Sequence, residues 1–332
     1  MSGPSRILVV RLSALGDVLL ATPAVRALAK TFPDARIDWL VEEPYLPLVA
    51  ANPYARPVAY RKRGEHQGIR GLLALRRTLV IEGYDLVVDL QDKPKARLFH
   101  VAGRTIAWRK RTPRQALLSL VGQERPLTRA HAVDLYLEAL APLGVVPDGR
   151  SLDLIVTAEM EARARLVLPE GRIVGLAPGA RWATKRWAPE RFAQLTVALA
   201  GRGLRPVLLG GRGDAEAFAA VRASLPFEVP DTATLDVGGL AGAIARCSLV
   251  VAGDSGPSHI AAALGTPLVT LFGPTSPKRW GPLSPRADVV RAPVECSPCT
   301  NHGGASCPLG HLDCMERLEV AQVLAAAGRW VG

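Results

Sequence analysis

The chain has 332 residues, 48% of them hydrophobic, with 41 Lys and Arg against 30 Asp and Glu and a net charge of +11. That length exceeds what one core usually supports, so two domains are expected, and the composition excludes disordered and collagen-like chains. No apolar run reaches the roughly 20 residues that span a bilayer, the start MSGPSRILVVRL shows no charged leader or A-x-A site, and five cysteines are too few for a disulfide scaffold. A cytosolic protein is expected. The charge is uneven: residues 1–150 hold 23 basic and 14 acidic side chains, residues 151–332 hold 18 and 16.

In chain order, Ile7–Leu12 reads as a buried strand, Asp17–Phe32 as a helix, Arg36–Val41 and Tyr84–Leu90 as strands, and Ala130–Leu143 as a helix. Gly and Pro interrupt the pattern at Val145–Arg150, a linker. The pattern then restarts. Ile173–Ala177, Pro206–Leu209, Leu249–Ala252 and Leu268–Phe272 read as strands, with helices at Glu190–Leu199, Asp214–Ser224 and Pro257–Leu264 between them. A last helix, Leu318–Ala327, suits either domain. The expectation is an α/β protein with two Rossmann-like domains, 1–150 and 151–332, facing across a ligand-binding cleft.

Five motifs carry chemistry. In RLSALGD (Arg11–Asp17) a strand turns through a glycine into a helix, putting Asp17 at or near the N-cap, where N–H groups and the helix dipole favour a carboxylate. Such an aspartate caps the helix or acts as a general base towards a sugar hydroxyl. The loop lacks G-x-G-x-x-G, which disfavours an NAD enzyme. In GDSGPSH (Gly253–His259), Ser255 and Gly256 permit close backbone approach, Pro257 suits a first helical turn, and the helix start suits a diphosphate. Asp254 is expected to hold a sugar hydroxyl or orient the loop, and His259 to reach phosphate or sugar.

In PGARWATKRW (Pro178–Trp187), Lys185 or Arg186 can neutralise charge on a departing diphosphate, or simply line a solvated loop. The chain has no D-x-D, the pattern common in metal-dependent nucleotide-sugar transferases. GGRGD (Gly210–Asp214) suits a nucleotide contact or a tight turn equally. Cys296, Cys299, Cys307 and Cys314 suit a tetrahedral structural zinc or iron site, with His302 and His311 as spare ligands, or stand as free thiols. Cys247 reads as a small core residue. A diffuse basic stretch runs through Arg56, Arg61, Lys62, Arg63, Arg70, Arg76, Arg77, Lys93, Lys95, Arg97, Arg104, Arg109, Lys110, Arg111 and Arg114. Aromatic residues are 5% of the chain and do not interleave with these cations, which favours anionic lipid or phosphosugar over nucleic acid.

Together these segments resemble the ADP-heptose:lipopolysaccharide heptosyltransferases, glycosyltransferase family nine. The likeness runs through ILVVRLSALGDVLLATPAVRAL, DWLVEE, YDLVVDLQ, PGARWATKRWAPERF, GDSGPSHIAAALGTPLVTLFGPT and CSPC…CPLGHLDCM. It implies the GT-B fold, acceptor on the N-terminal domain and ADP-heptose on the C-terminal domain. It also implies direct displacement with inversion and no catalytic metal. By the resemblance Asp17 is the base and Lys185 stabilises departing ADP. Asp254, Ser255, Gly256 and His259, joined by Gly179, bind the donor. Arg11, Ser13, Gln91 and Lys95 are the expected acceptor contacts. The implied acceptor is Kdo-lipid A or its first heptose, an anionic lipid, and the implied location is the cytoplasmic face of the inner membrane. A nucleotide-sugar epimerase and a metal-stabilised nucleic-acid-binding protein are the rival readings.

Overall fold

The computed structural model describes residues 3–91, 93–108 and 130–331. Asp92, Arg109, Lys110, Arg111 and Arg114 of the basic stretch lie outside the described residues. The described chain divides into two units. One comprises the residues up to 108 with Ala132–Ile155, and the other residues 130–131 with those from Val156 onward.

The first unit is built on a parallel sheet of β1 (Arg6–Val10), β2 (Arg36–Glu42), β3 (Arg56–Tyr60), β4 (Leu86–Asp89) and β5 (Arg104–Ala107), in the order β3-β2-β1-β4-β5. β1 is central, with Ile7 beside Ile37 on one side and Leu86 on the other. Ile7–Val10 is an apolar run because both faces of the strand are covered. On one face Leu8 and Val10 join Leu40, Tyr60, Leu75, Leu79, Val87 and Phe99 in a single core. The strand order reverses direction at β1 and β4, so their C-terminal ends flank the topological switch point.

The expected helix over Asp17–Phe32 is two helices, α1 (Leu15–Leu20) and α2 (Thr22–Thr31). Pro23 explains the break, because in a continuous helix its ring would clash with the Leu19 carbonyl. That carbonyl instead accepts the Thr22 hydroxyl at 2.8 Å. α3 (Gly68–Ile81) follows β3, and α4 (Ala132–Glu138) gives way to a 3-10 turn at Ala141–Leu143. The linker is held by α2: Arg26 pairs with Asp148 and Asp153 and donates to Ser151 O at 3.0 Å, and Lys30 Nζ lies 2.6 Å from Asp148.

The second unit repeats the plan with β6 (Ile173–Ala177), β7 (Arg205–Leu208), β8 (Cys247–Gly253), β9 (Leu268–Leu271) and β10 (Ala287–Val290), all parallel in the order β10-β9-β8-β6-β7. Here the switch point lies between β6 and β8. α5 (Ala158–Arg165), α6 (Pro189–Ala200), α7 (Ala215–Arg222), α8 (Val237–Ala245) and α9 (Gly256–Leu264) are followed by the short α10 (Pro277–Trp280) and α11 (Asp313–Glu316). The last helix, α12 (Val320–Val331), packs on α6, β8, β9 and β10 and so belongs to this unit. Among the described residues no helix is long and apolar enough to cross a membrane.

Candidate active site

Each unit gathers polar side chains at its switch point. In the first, the loop after β1 carries Arg11, Ser13 and Asp17, and the end of β4 carries Asp89 and Gln91. Asp17 is the third residue of α1, one turn later than a cap, and its Oδ2 accepts the Ala14 N–H at 3.4 Å. Its Oδ1 is anchored by Arg11 Nη2 at 2.7 Å and by the Tyr136 hydroxyl at 3.3 Å. Arg11 lies beneath, its side chain 5% exposed, while 27% of Asp17 faces solvent. The guanidinium also donates to Leu90 O and sits 5.2 Å from the centre of the Tyr136 ring. Burial works against its charge, but Asp17, Tyr136 and Asp89 outweigh that and raise its pKa above the ordinary value.

Gln91 is turned inward. Its Oε1 accepts the Leu12 and Ser13 N–H groups at 2.9 and 3.3 Å, so its side chain shapes the loop that carries Ser13. Asp89 receives the Gln91 N–H at 2.8 Å and holds His100 Nε2 at 2.8 Å. Lys95 stands apart from this group: its ammonium meets the Tyr60 hydroxyl and lies 4.3 Å from the centre of that ring.

In the second unit, the loop after β6 supplies Lys185 and the loop after β8 supplies Asp254. Lys185 Nζ lies 2.7 Å from Asp254 Oδ2, with side-chain exposures of 14% and 6%. The Thr275 hydroxyl donates to the same oxygen at 2.7 Å. Ser255 is the N-cap of α9, but its hydroxyl donates back to Gly253 O at 3.3 Å, so the first turn begins without a side-chain cap. Those N–H groups and the positive helix end suit an anionic ligand beside a lysine. His259 is buried one turn in. Gly179 packs on the next loop: a Cβ there would lie 2.0 Å from Asp214 Oδ1, and Asp214 in turn accepts the Gly211 N–H at 2.9 Å.

Sequence reading missed Thr275, Tyr136 and the Asp89–His100 pair. It also missed the contact of Gly303 with Lys185, where φ is +91° and a Cβ would come 2.9 Å from Lys185 Cδ. Thr184 fixes this approach, donating to Gly304 O at 3.1 Å and accepting the Gly304 N–H at 2.8 Å.

Of the two readings of the four cysteines near the C-terminus, the metal site finds no support and the thiols stand free of disulfides. Among the described residues, no group of three or more His, Cys, Asp or Glu is placed to hold a metal ion. Cys314, on α11, belongs to the hydrophobic core, and burial pushes its thiol up to about 11. Cys307 is half-buried, and N–H groups from Leu312, Leu309, Gly310 and His311 lower its thiol below the ordinary range. Hydrogen bonds order the loop instead. The N–H groups of Cys299 and Thr300 donate to Pro274 O at 2.9 and 3.1 Å, and Trp280 Nε1 donates to Asn301 O at 2.8 Å.

A family profile described as glycosyltransferase family 9 (heptosyltransferase) matches residues 72–308. Lipopolysaccharide heptosyltransferase 1 of Escherichia coli K12 is 30% identical over 305 residues, 87% of this chain and 94% of that protein. The glycosyl transferase family 9 structure from Veillonella parvula DSM 2008 superposes with a TM-score of 0.82 at 25% identity, covering 98% of this chain and 97% of that one. The structure of E. coli heptosyltransferase WaaC with ADP gives 0.69 at 25% identity, covering 98% of each chain.

Proposed function

The chain belongs to glycosyltransferase family 9, the heptosyltransferases, and from that premise we propose that it moves heptose from ADP-heptose onto the lipopolysaccharide inner core, with inversion and without a catalytic metal. It is a glycosyltransferase of the GT-B fold. The acceptor, Kdo-lipid A or its first heptose, binds the first unit, and ADP-heptose binds the second. The protein works as a peripheral enzyme on the cytoplasmic face of the inner membrane. No resident cofactor enters this reaction, and the cysteine loop is structural.

Asp17 takes the proton of an acceptor hydroxyl. The oxygen attacks the anomeric carbon opposite the diphosphate, the carbon–oxygen bond to ADP breaks, and ADP leaves carrying the negative charge. Lys185 and the N–H groups at the start of α9, from Gly256 onward, compensate that charge, as Arg and metal ions do in other transferases. Ser255, Asp254, His259 and Gly179 complete the donor side. Asp254, itself fixed by the Thr275 hydroxyl, holds Lys185 until the diphosphate exchanges for the carboxylate. On the acceptor side Ser13 and Lys95 meet the substrate, while Arg11 and Gln91 act as positioning residues beneath Asp17 and Ser13.

One observation carries this reading. An accessible carboxylate braced by a buried arginine occupies one switch point, and a lysine beside an uncapped helix start occupies the other. The test is Asp17→Asn with both ADP affinity and turnover measured. Loss of a general base lowers turnover on the order of 10²–10⁴-fold, with ADP affinity unchanged. Turnover within a few-fold of wild type would remove Asp17 from the role.

A further inference from the structure

Four large apolar side chains on α3 face solvent: Ile69 is 77% exposed, Leu73 44%, Val80 46% and Ile81 84%. Among the described residues no other α-helix exposes more than one. The inner face of α3 is already used, with Leu75 and Leu79 buried in the core and Gly71 packed on the His66 backbone, so the outer residues are surplus to folding. At about 100° per residue, Ile69, Leu73 and Val80 fall within roughly 40° of arc. Arg76 borders that stripe on one side and Arg77 and Arg70 on the other.

The helix carries no acidic residue. Arg56 and Arg61, elsewhere in the same unit, are matched by Asp38 and by Glu43 and Glu65. Arg70, Arg76 and Arg77 make no ion pair among the described residues. A narrow apolar stripe between unmatched cations is the pattern of a helix lying in the plane of a charged membrane, its apolar side chains at the acyl boundary and its arginines among the headgroups. A second copy fits poorly, because symmetric pairing of this face sets arginines against arginines.

We propose that the outer face of α3 docks the protein flat on an anionic lipid bilayer. This deepens the lipid-acceptor reading and rests on it for its purpose. Docking places the first unit at the surface where a membrane-borne acceptor presents its sugars. Ile69, Leu73 and Val80 supply the insertion, and the three arginines choose anionic over zwitterionic lipid.

The test is co-sedimentation of the full chain with phosphatidylethanolamine–phosphatidylglycerol vesicles and with phosphatidylcholine vesicles, no donor or acceptor being added. Wild type binds the anionic vesicles preferentially. Each arginine contributes about fivefold, so Arg70→Gln, Arg76→Gln and Arg77→Gln together lower binding on the order of a hundredfold, and lysine at the same positions restores it. Ile69→Ser, Leu73→Ser and Val80→Ser together lower binding by at least about tenfold. Should the serine variant fail to fold, the glutamine variant, altered at the exposed Arg70 and Arg77 and the half-buried Arg76 with no apolar side chain removed, decides. Vesicle binding unchanged in a folded variant, no binding by wild type, or a wild-type dimer abolished by the serine substitutions would each overturn the proposal. Transfer to a water-soluble deacylated acceptor separates the two readings. Transfer without vesicle binding refutes docking alone, and vesicle binding without transfer refutes the transferase assignment alone.

Discussion

Lys185 and Asp254 form the ion pair on which the donor-side account depends, and a double-mutant cycle measures it. Lys185→Ala leaves a carboxylate that is 6% exposed with Thr275 as its remaining side-chain partner among the described residues. Breaking a fully buried pair costs about 3–5 kcal/mol. Water reaches the 14% exposed lysine, so we expect about 2–3 kcal/mol here. Asp254→Asn keeps an acceptor for Thr275 and lets the lysine turn to solvent, for about 1 kcal/mol. With both changes no uncompensated charge remains, and the cycle returns a coupling of about 2 kcal/mol. The assay is urea unfolding followed by tryptophan fluorescence, to which the second unit contributes Trp182, Trp187, Trp280 and Trp330. ADP titration of the same proteins adds a second readout: Lys185→Ala loses charge-assisted bonds to the diphosphate and binds ADP roughly 10–100-fold more weakly. Additivity within about 0.5 kcal/mol, or unchanged ADP affinity in Lys185→Ala, would refute the reasoning.

Asp38 is fully buried in β2 and accepts bonds from Arg36 at 2.8 Å, Arg56 at 2.9 Å and Tyr84 at 2.7 Å. Burial alone would raise its pKa, but these bonds prevail and hold it below the usual carboxylate range. Its stabilising effect is therefore present above about pH 4, the unfolded value, and lost as pH falls through the folded value. Asp38→Asn should cost about 2 kcal/mol near neutrality, the partial exposure of both arginines keeping it below a fully buried pair, and should flatten the acid limb. An acid limb as steep as wild type would count against this. For the cysteines, iodoacetamide at pH 8 should modify Cys307 first and spare Cys314 and Cys247, whose thiols burial pushes up to about 11 and about 12. EDTA should not change that order. Joint protection of Cys296, Cys299, Cys307 and Cys314, released together by the chelator, would restore the metal site.

The central strands were legible because burial on both faces writes a continuous apolar run, as in ILVV of β1, IVGLA of β6 and LVVA of β8. The edge strands β3, β5 and β10 escaped notice for the opposite reason. They are four or five residues long, half exposed, and carry Pro57, Arg104 or Asp288, so no pattern of two or run of apolar residues stands out. α3 was hidden because its solvent face is itself apolar and basic, which blurs the period of 3.6 and left its arginines reading as a diffuse charge cluster. The loops after β1, β6 and β8 announced themselves through Gly, Pro, Ser and Asp at strand ends. Their partners did not. Tyr136 reaches Asp17 across 119 positions and Gly304 meets Thr184 across 120, and no local spacing encodes such contacts. The cysteine spacing left metal ligands and free thiols both open, because spacing shows only that thiols are near in the chain; Cys314 is buried in the core, and the neighbouring Cys296, Cys299 and Cys307 add to the upward push on its thiol.

The transfer reaction itself tests the central claim most directly. Purified protein is incubated in EDTA with ADP-heptose and, separately, with Kdo-lipid A and with the same lipid already carrying one heptose, and products are followed by mass spectrometry and nucleotide release. The account predicts that one acceptor gains a single heptose of inverted anomeric configuration as an equal amount of ADP appears. Conversion of the donor without acceptor, or ADP binding with neither acceptor changed, would contradict it.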